Sequence, residues 1–232
     1  MNVLTTASLS PTGERLKAIF LRLLDHFGPR FWWPAETPFE VCIGAILTQN
    51  TAWTNVEKAI DALKAEGVLT VEGIGSMEAG RLAELIRPSG CYNVKSVRVK
   101  GFVAWLRGRY HGSLDAMFAA EWHELRRELL RVPGIGPETC DAILLYAGHK
   151  PTFVVDAYTR RLFHRLGLLP ASAGYDGTRR LFMEHLPADT LLFNEYHALI
   201  VEECKAFCRT RPRCDGCPLA PQCPVFHAGC NP

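Results

Sequence analysis

The period of its apolar residues constrains this chain more than any other feature. Leu16, Ile19, Phe20, Leu23, Leu24 and Phe27 recur at the i, i+3, i+4, i+7 spacing that lays one apolar stripe along a helix. The spacing returns in Val56, Ala59, Ile60 and Leu63, in Leu82, Leu85 and Ile86, and in Val99, Phe102, Val103 and Leu106. It continues in Trp122, Leu125 and Leu129, then in Leu162, Phe163 and Leu166, and a long late helix carries Phe193, Tyr196, His197, Ile200, Val201 and Cys204. No segment alternates with period two for long enough to build a sheet; Phe153 to Val155 is a short β-like run only. Gly and Pro clusters such as Gly28-Pro29 and Pro133-Gly134 separate the helices, and nothing has the composition of a flexible linker. The pattern predicts an all-α chain. With 48% hydrophobic and 22% charged residues in 232, it has the composition of a folded globular protein. No apolar run approaches the roughly 20 residues of a membrane span. Met1 to Gly13 lacks the apolar core of a secretory signal, so an intracellular, cytoplasmic setting and no membrane partner are expected. A net charge of +2 is silent about partners.

The nine cysteines divide unevenly. Cys42, Cys91 and Cys140 stand singly among apolar or helical residues, as buried structural thiols do. The other six, Cys204, Cys208, Cys214, Cys217, Cys223 and Cys230, fall in the last 29 residues. An odd total bunched at one end argues for a metal site over a disulfide scaffold.

Residues 129–144, Leu-Leu-Arg-Val-Pro-Gly-Ile-Gly-Pro-Glu-Thr-Cys-Asp-Ala-Ile-Leu, join two apolar-periodic helices through a tight turn. Gly134 and Gly136 suit positive φ and close approach by another backbone, and Pro137 suits a first helical position. Main-chain amides of Gly134, Ile135 and Gly136 can then hold a phosphate without a side-chain charge. A plain glycine-containing connection is the alternative for such a turn alone. The segment as a whole resembles the helix-hairpin-helix of DNA repair proteins, which implies nucleic-acid binding. Downstream, Phe153-Val-Val-Asp-Ala-Tyr-Thr-Arg-Arg161 places Asp156 just before an amphipathic helix, by residue type an N-cap.

With that aspartate, the chain from about Phe31 to Cys223 resembles the endonuclease III-like superfamily of DNA glycosylases. The resemblance implies double-stranded DNA with a damaged base as substrate, a monomeric enzyme of base excision repair, and Asp156 as catalytic carboxylate. It also implies two helical domains, near 36–151 and 1–35 plus 152–232, with the active site in a cleft between them. Breaking an N-glycosidic bond builds positive charge on the sugar, which a carboxylate stabilises while it orients or deprotonates water. Superfamily members that also cut the strand use a lysine on the second hairpin helix as an amine nucleophile. Glu138 occupies that position here and cannot form a Schiff base, so a monofunctional enzyme with weak or absent lyase activity is expected.

Phe31-Trp-Trp-Pro34, Gly44-Ala-Ile-Leu-Thr-Gln-Asn-Thr-Ala-Trp53, Arg87-Pro-Ser-Gly-Cys-Tyr-Asn93 and Val154-Val-Asp-Ala-Tyr158 are similar to the 3-methyladenine branch. That branch also has Gly-Ile-Gly-x-Glu at its hairpin. The resemblance makes Trp32, Trp33 and Trp53 the walls of a pocket for a flipped base. Purines alkylated at N3 or N7 are cationic, and aromatic faces hold cations. Core packing is the alternative for each tryptophan. Gln49 becomes the wedge that fills the gap left by the extruded nucleotide, against a local helix-end role. Tyr92, Asn93 and Lys95 start another helix facing DNA or solvent, with Lys95 a phosphate contact. His197, on an apolar face, reads as a structural histidine.

Cys208-x5-Cys214-x2-Cys217-x5-Cys223 offers four thiolates, enough for a [4Fe-4S] cluster or a zinc ion. Zinc sites more often show two close pairs set apart. The spacing resembles the cluster loop of endonuclease III-like glycosylases, departing from it by one residue between the first two cysteines, and a cluster is expected. Cys204 and Cys230 remain without a role. Arg209, Arg211 and Arg213 lie between the first two ligands, where a tied loop would present them to phosphates. Two other readings stay open: an endonuclease III-type lyase for oxidised pyrimidines, and a non-catalytic DNA-structure binder.

Overall fold

The computed structural model describes residues 9–30 and 35–230, so Trp32 and Trp33 lie outside the described residues. Helices account for the regular structure there and no strand is present among the described residues, as the apolar period requires. Phe153–Val155 is extended but pairs with no other strand among them. The chain separates into two compact units, residues 33–150 and residues 1–32 with 151–232.

In chain order the helices are α1 (Pro11–Phe27), α2 (Pro38–Leu47), α3 (Trp53–Ala65), α4 (Val71–Ser76), α5 (Ala79–Leu85), α6 (Tyr92–Tyr110) and α7 (Leu114–Ala119). There follow α8 (Trp122–Leu129), α9 (Pro137–Ala142), α10 (Ala157–Arg165), α11 (Tyr175–His185), α12 (Thr190–Ala206) and α13 (Pro224–His227). Their starts are chemically marked. Thr37 caps α2 through a 3.1 Å hydrogen bond from the Glu40 amide, with Pro38 at the first helical position. Asp189 caps α12 by accepting from the Leu192 amide at 2.7 Å.

In the unit spanning 33–150, α2 is the core. Phe39 to Leu47 are all buried, and the helix packs on α3, α6, α9 and the turn that follows α9. A helix apolar on every side has to be central. After α9 the backbone widens into a π-turn, Ile143–Ala147, whose five residues are all buried. This shift lets one continuous segment serve the hairpin at its start and the core at its end.

In the other unit, α12 packs against α1 and α10. Tyr196 is fully buried there and its hydroxyl donates to the Leu16 carbonyl at 2.8 Å, which satisfies the polar tip of an otherwise apolar side chain. Phe153 stacks on Phe182 with ring centroids 3.6 Å apart and meets Phe193 and Tyr196 edge-on. This cluster pins the extended run Phe153–Val155, and the Arg179 Nε–H donates to Thr152 Oγ1 at 2.9 Å from the side of α11. Asp156, the next residue, therefore leaves a fixed backbone.

Candidate active site

Asp156 is the N-cap of α10. Its Oδ1 accepts from the Thr159 amide at 2.7 Å and from the Thr159 hydroxyl at 2.9 Å. The cap expected from residue type is thus present, but it occupies one oxygen only. Oδ2 faces the imidazole of His197, whose Nε2 lies 3.6 Å away. Burial pushes the Asp156 carboxyl up; the imidazole and the two Thr159 donors more than offset this and hold it below the usual aspartate value. The group is a nearly buried carboxylate that stays ionised at neutral pH. His197, read from the sequence as structural, is the partner that sequence reasoning missed. A polar side chain on the apolar stripe of α12 was the available signal, since such a group needs a buried partner.

The hairpin belongs to the unit spanning 33–150. Gly134 takes φ +88° and a Cβ there would run into the Arg98 side chain, so the turn needs glycine twice over. The Ile135 amide donates to the Val132 carbonyl at 3.0 Å and its side chain is buried. The expected phosphate site is corrected accordingly: Ile135 is spent inside the turn, leaving exposed Gly134 and Gly136 as the outward positions. Asp141, fully buried in α9, accepts two hydrogen bonds of 2.9 Å from Arg126 of α8, a bidentate pair that clamps the two hairpin helices together. Glu138 is exposed in the first turn of α9.

Gln49 lies in the turn after α2 and is bound to the hairpin. Its Nε2 donates to the Gly134 carbonyl and to Thr139 Oγ1, both at 2.9 Å, and its Oε1 accepts from Arg98. Lys95 departs from expectation. It is 2% exposed, and its Nζ donates to the carbonyls of Leu47 at 2.8 Å and Ser89 at 2.6 Å. Its ammonium caps the carbonyl ends of two helical segments inside the unit and is not offered to phosphate, and burial draws it below the ordinary lysine value. Trp53 opens α3; its indole N–H donates to Glu57 Oε1 at 2.8 Å, and it borders a cavity of about 290 Å³ lined also by Gly44, Ile60, Glu40, Asp61 and Lys64.

The cysteine loop is held by α10. Arg161 Nε donates to the Cys208 carbonyl at 2.8 Å, while Arg165 reaches the Cys208 sulfur at 3.4 Å and the carbonyls of Arg209 and Thr210. The hydrogen bond from Cys204, together with that guanidinium, keeps the Cys208 thiol below the ordinary cysteine range. The Cys217 thiol donates to Glu203 Oε1 at 3.1 Å, and burial with that carboxylate pushes it up to about 12. Cys214 is joined to Cys230 in a disulfide in this arrangement, which gives Cys230 a partner. No group of three metal-binding side chains converges among the described residues. Arg209, Arg211 and Arg213 are all exposed.

Comparison with known proteins decides the family. A model described as HhH-GPD superfamily base excision DNA repair protein matches residues 43–188, which contain the hairpin and Asp156. The chain belongs to that superfamily. This glycosylase is 47% identical over 212 residues to a Methanocaldococcus jannaschii protein that carries the name of a DNA repair glycosylase, covering 90% of this chain and 96% of that one. It is 28% identical over 190 residues to endonuclease III of Thermotoga maritima, covering 82% and 84% of the two chains. Among solved structures, the Helicobacter pylori 3-methyladenine DNA glycosylase MagIII bound to 1,N6-ethenoadenine aligns with a TM-score of 0.72 at 31% identity, over 84% of the glycosylase and 97% of that chain. The all-α hairpin fold and base excision DNA repair are thereby established for the glycosylase. No helix among its described residues is long and apolar enough to cross a membrane.

Proposed function

We propose that this chain is a monofunctional glycosylase that hydrolyses the N-glycosidic bond of alkylated purines of the 3-methyladenine type, acting as a monomer on flipped bases in double-stranded DNA. The observation that carries the reading is the division of labour at Asp156. One oxygen is fixed by Thr159, and the other is an ionised acceptor beside His197. As the C1′–N bond breaks, its electron pair leaves with the base and positive charge develops on the sugar. The Asp156 carboxylate stabilises that charge, and takes the proton of the water whose oxygen bonds to C1′. Glu138 supplies no amine to compete with water.

Two features favour a cationic base. Trp53 presents an aromatic face, and the cavity beside it carries the carboxylates of Glu40, Glu57 and Asp61 against the single ammonium of Lys64. Lys64 is itself paired with Glu36 and Glu40 at 2.9 Å. The resemblance assigns Trp32 and Trp33 to the same base-holding role. Gln49 is its wedge, and Gly134, Gly136, Arg209, Arg211 and Arg213 are its phosphate contacts. The test is a panel of duplexes with defined alkylated, oxidised or mismatched bases, scoring free-base release apart from strand scission. Release of 3-alkylated or 7-alkylated purine without scission is expected. A protein–DNA adduct trapped by borohydride would sink the monofunctional reading, and release of oxidised pyrimidines alone would favour the endonuclease III-type alternative.

The cysteine loop supports a [4Fe-4S] cluster by donor chemistry. Four thiols lie within 16 residues, 208–223, on a backbone that Arg161 and Arg165 already hold. Cys208, Cys214, Cys217 and Cys223 are the proposed ligands, which requires that the Cys214–Cys230 disulfide be reduced. Bound there, the cluster would cross-link the loop. Protein purified under reduction is expected to be brown and to contain iron, and Cys214→Ser to lose both while Cys230→Ser keeps them. Zinc in place of iron, or loss of iron in Cys230→Ser, would reverse the ligand assignment.

A further inference from the structure

We infer that His197 is a positioning residue for Asp156: its imidazole, facing Oδ2, holds the second carboxylate oxygen in place for the reaction. The inference rests on the assignment of Asp156 as the catalytic carboxylate. Its own basis is geometric. His197 is on α12, 6% exposed, with Nε2 at 3.6 Å from Oδ2, while Thr159 holds Oδ1 through two donors. The carboxylate plane is thus fixed at both ends, and the end toward His197 is the one that the helix cap does not use.

A carboxylate removed from water tends to take up a proton, and a protonated Asp156 can neither stabilise a cationic sugar nor accept a proton from water. The surroundings leave the task to His197. The preceding run, Phe153 to Val155, is apolar and buried. From α11, the Tyr175 hydroxyl accepts from the Val155 amide at 3.4 Å. From α12, the buried Cys204 donates its thiol to the Tyr158 carbonyl at 3.6 Å. From α10, Arg161 is directed to the Cys208 carbonyl. Neither Tyr175 nor Cys204 brings positive charge, and Arg161 is committed to the cysteine loop. The His197 imidazole and the Thr159 donors outweigh the upward push of burial and hold the Asp156 carboxyl below the usual aspartate value.

The experiment compares the protein with His197→Leu, His197→Gln and Asp156→Asn. Glutamine is the conservative variant, because its amide nitrogen reaches the place of Nε2. The first readout is the pH titration of the Asp156 carboxyl by ¹³C NMR on DNA-free protein, its resonance identified by disappearance in Asp156→Asn. In His197→Leu the midpoint should rise by about one pH unit, within the range for loss of an opposing charge or donor. His197→Gln should recover most of that rise. The second readout is the acid limb of base release on whichever alkylated duplex the panel identifies, which should move with the NMR midpoint. A midpoint unchanged in both His197 variants overturns the inference. If His197→Leu does not fold, His197→Asn, whose shorter amide does not reach Oδ2, takes its place, and an unchanged midpoint there overturns the inference as well. Base release that survives in Asp156→Asn overturns the catalytic assignment instead, and an NMR shift of Asp156 in that case leaves His197 as its electrostatic partner only.

Discussion

Asp156→Asn should lower base release by about 10²- to 10⁴-fold while leaving DNA affinity nearly unchanged. Asparagine is as good an N-cap as aspartate, so its carbonyl oxygen can keep both bonds from Thr159 and α10 can start where it does now. What is lost is the negative charge on the oxygen that faces His197. Single-turnover base release and DNA binding by anisotropy separate the two roles. A loss of less than tenfold would mean that the cap is the whole function of this residue. A parallel fall in binding would mean that the substitution disturbs more than the charge. The depressed carboxyl also bears on stability: its contribution is present above the ordinary aspartate value and disappears as pH falls through the lower value of the folded protein.

The second large effect concerns the clamp between the hairpin helices. Asp141 is fully buried and takes both of its 2.9 Å hydrogen bonds from one guanidinium. Removing either partner takes the bidentate counter-charge away from the other inside the fold. Arg126→Met or Asp141→Leu alone should therefore cost about 3–5 kcal/mol. Thermal midpoints should fall by roughly 2–4 °C for each kcal/mol at this chain length. The double replacement removes both charges, so it should be less damaging than either single change. Calorimetry or chemical denaturation of the three variants checks the ordering. Single variants within 1 kcal/mol of the parent would mean that water reaches the pair and that the clamp is weak.

The apolar period made the helices legible because each buries one face of its own residues, and that is a local property. The lone carboxylate before α10 was legible for the same reason, since an N-cap is written in adjacent residues. Lys95 was not. A lysine near a helix start reads as surface, yet Lys95 shares the stripe of Val99, Phe102 and Leu106, and its buried course depends on the carbonyls of Leu47 and Ser89. Those acceptors are brought to it by packing that no local pattern records. His197 illustrates the same limit, because its partner lies on another helix. Ile135 failed differently: the turn that gives the hairpin its shape consumes the amide that would otherwise face outward. The pairing of Cys214 with Cys230 depends on where the chain end folds back, which spacing does not specify.

The attachment of Gln49 to Gly134 and Thr139 has a consequence for how damage is searched for. Lys95 bonds the Leu47 carbonyl just before the same turn, so the proposed wedge and the hairpin proposed to contact phosphate share one hydrogen-bonded frame. Such a frame behaves as a caliper with locked jaws. If the proposed roles hold, it would test a base pair only at one fixed offset from the phosphate bound at the hairpin, and examining the next pair would require a shift of one nucleotide.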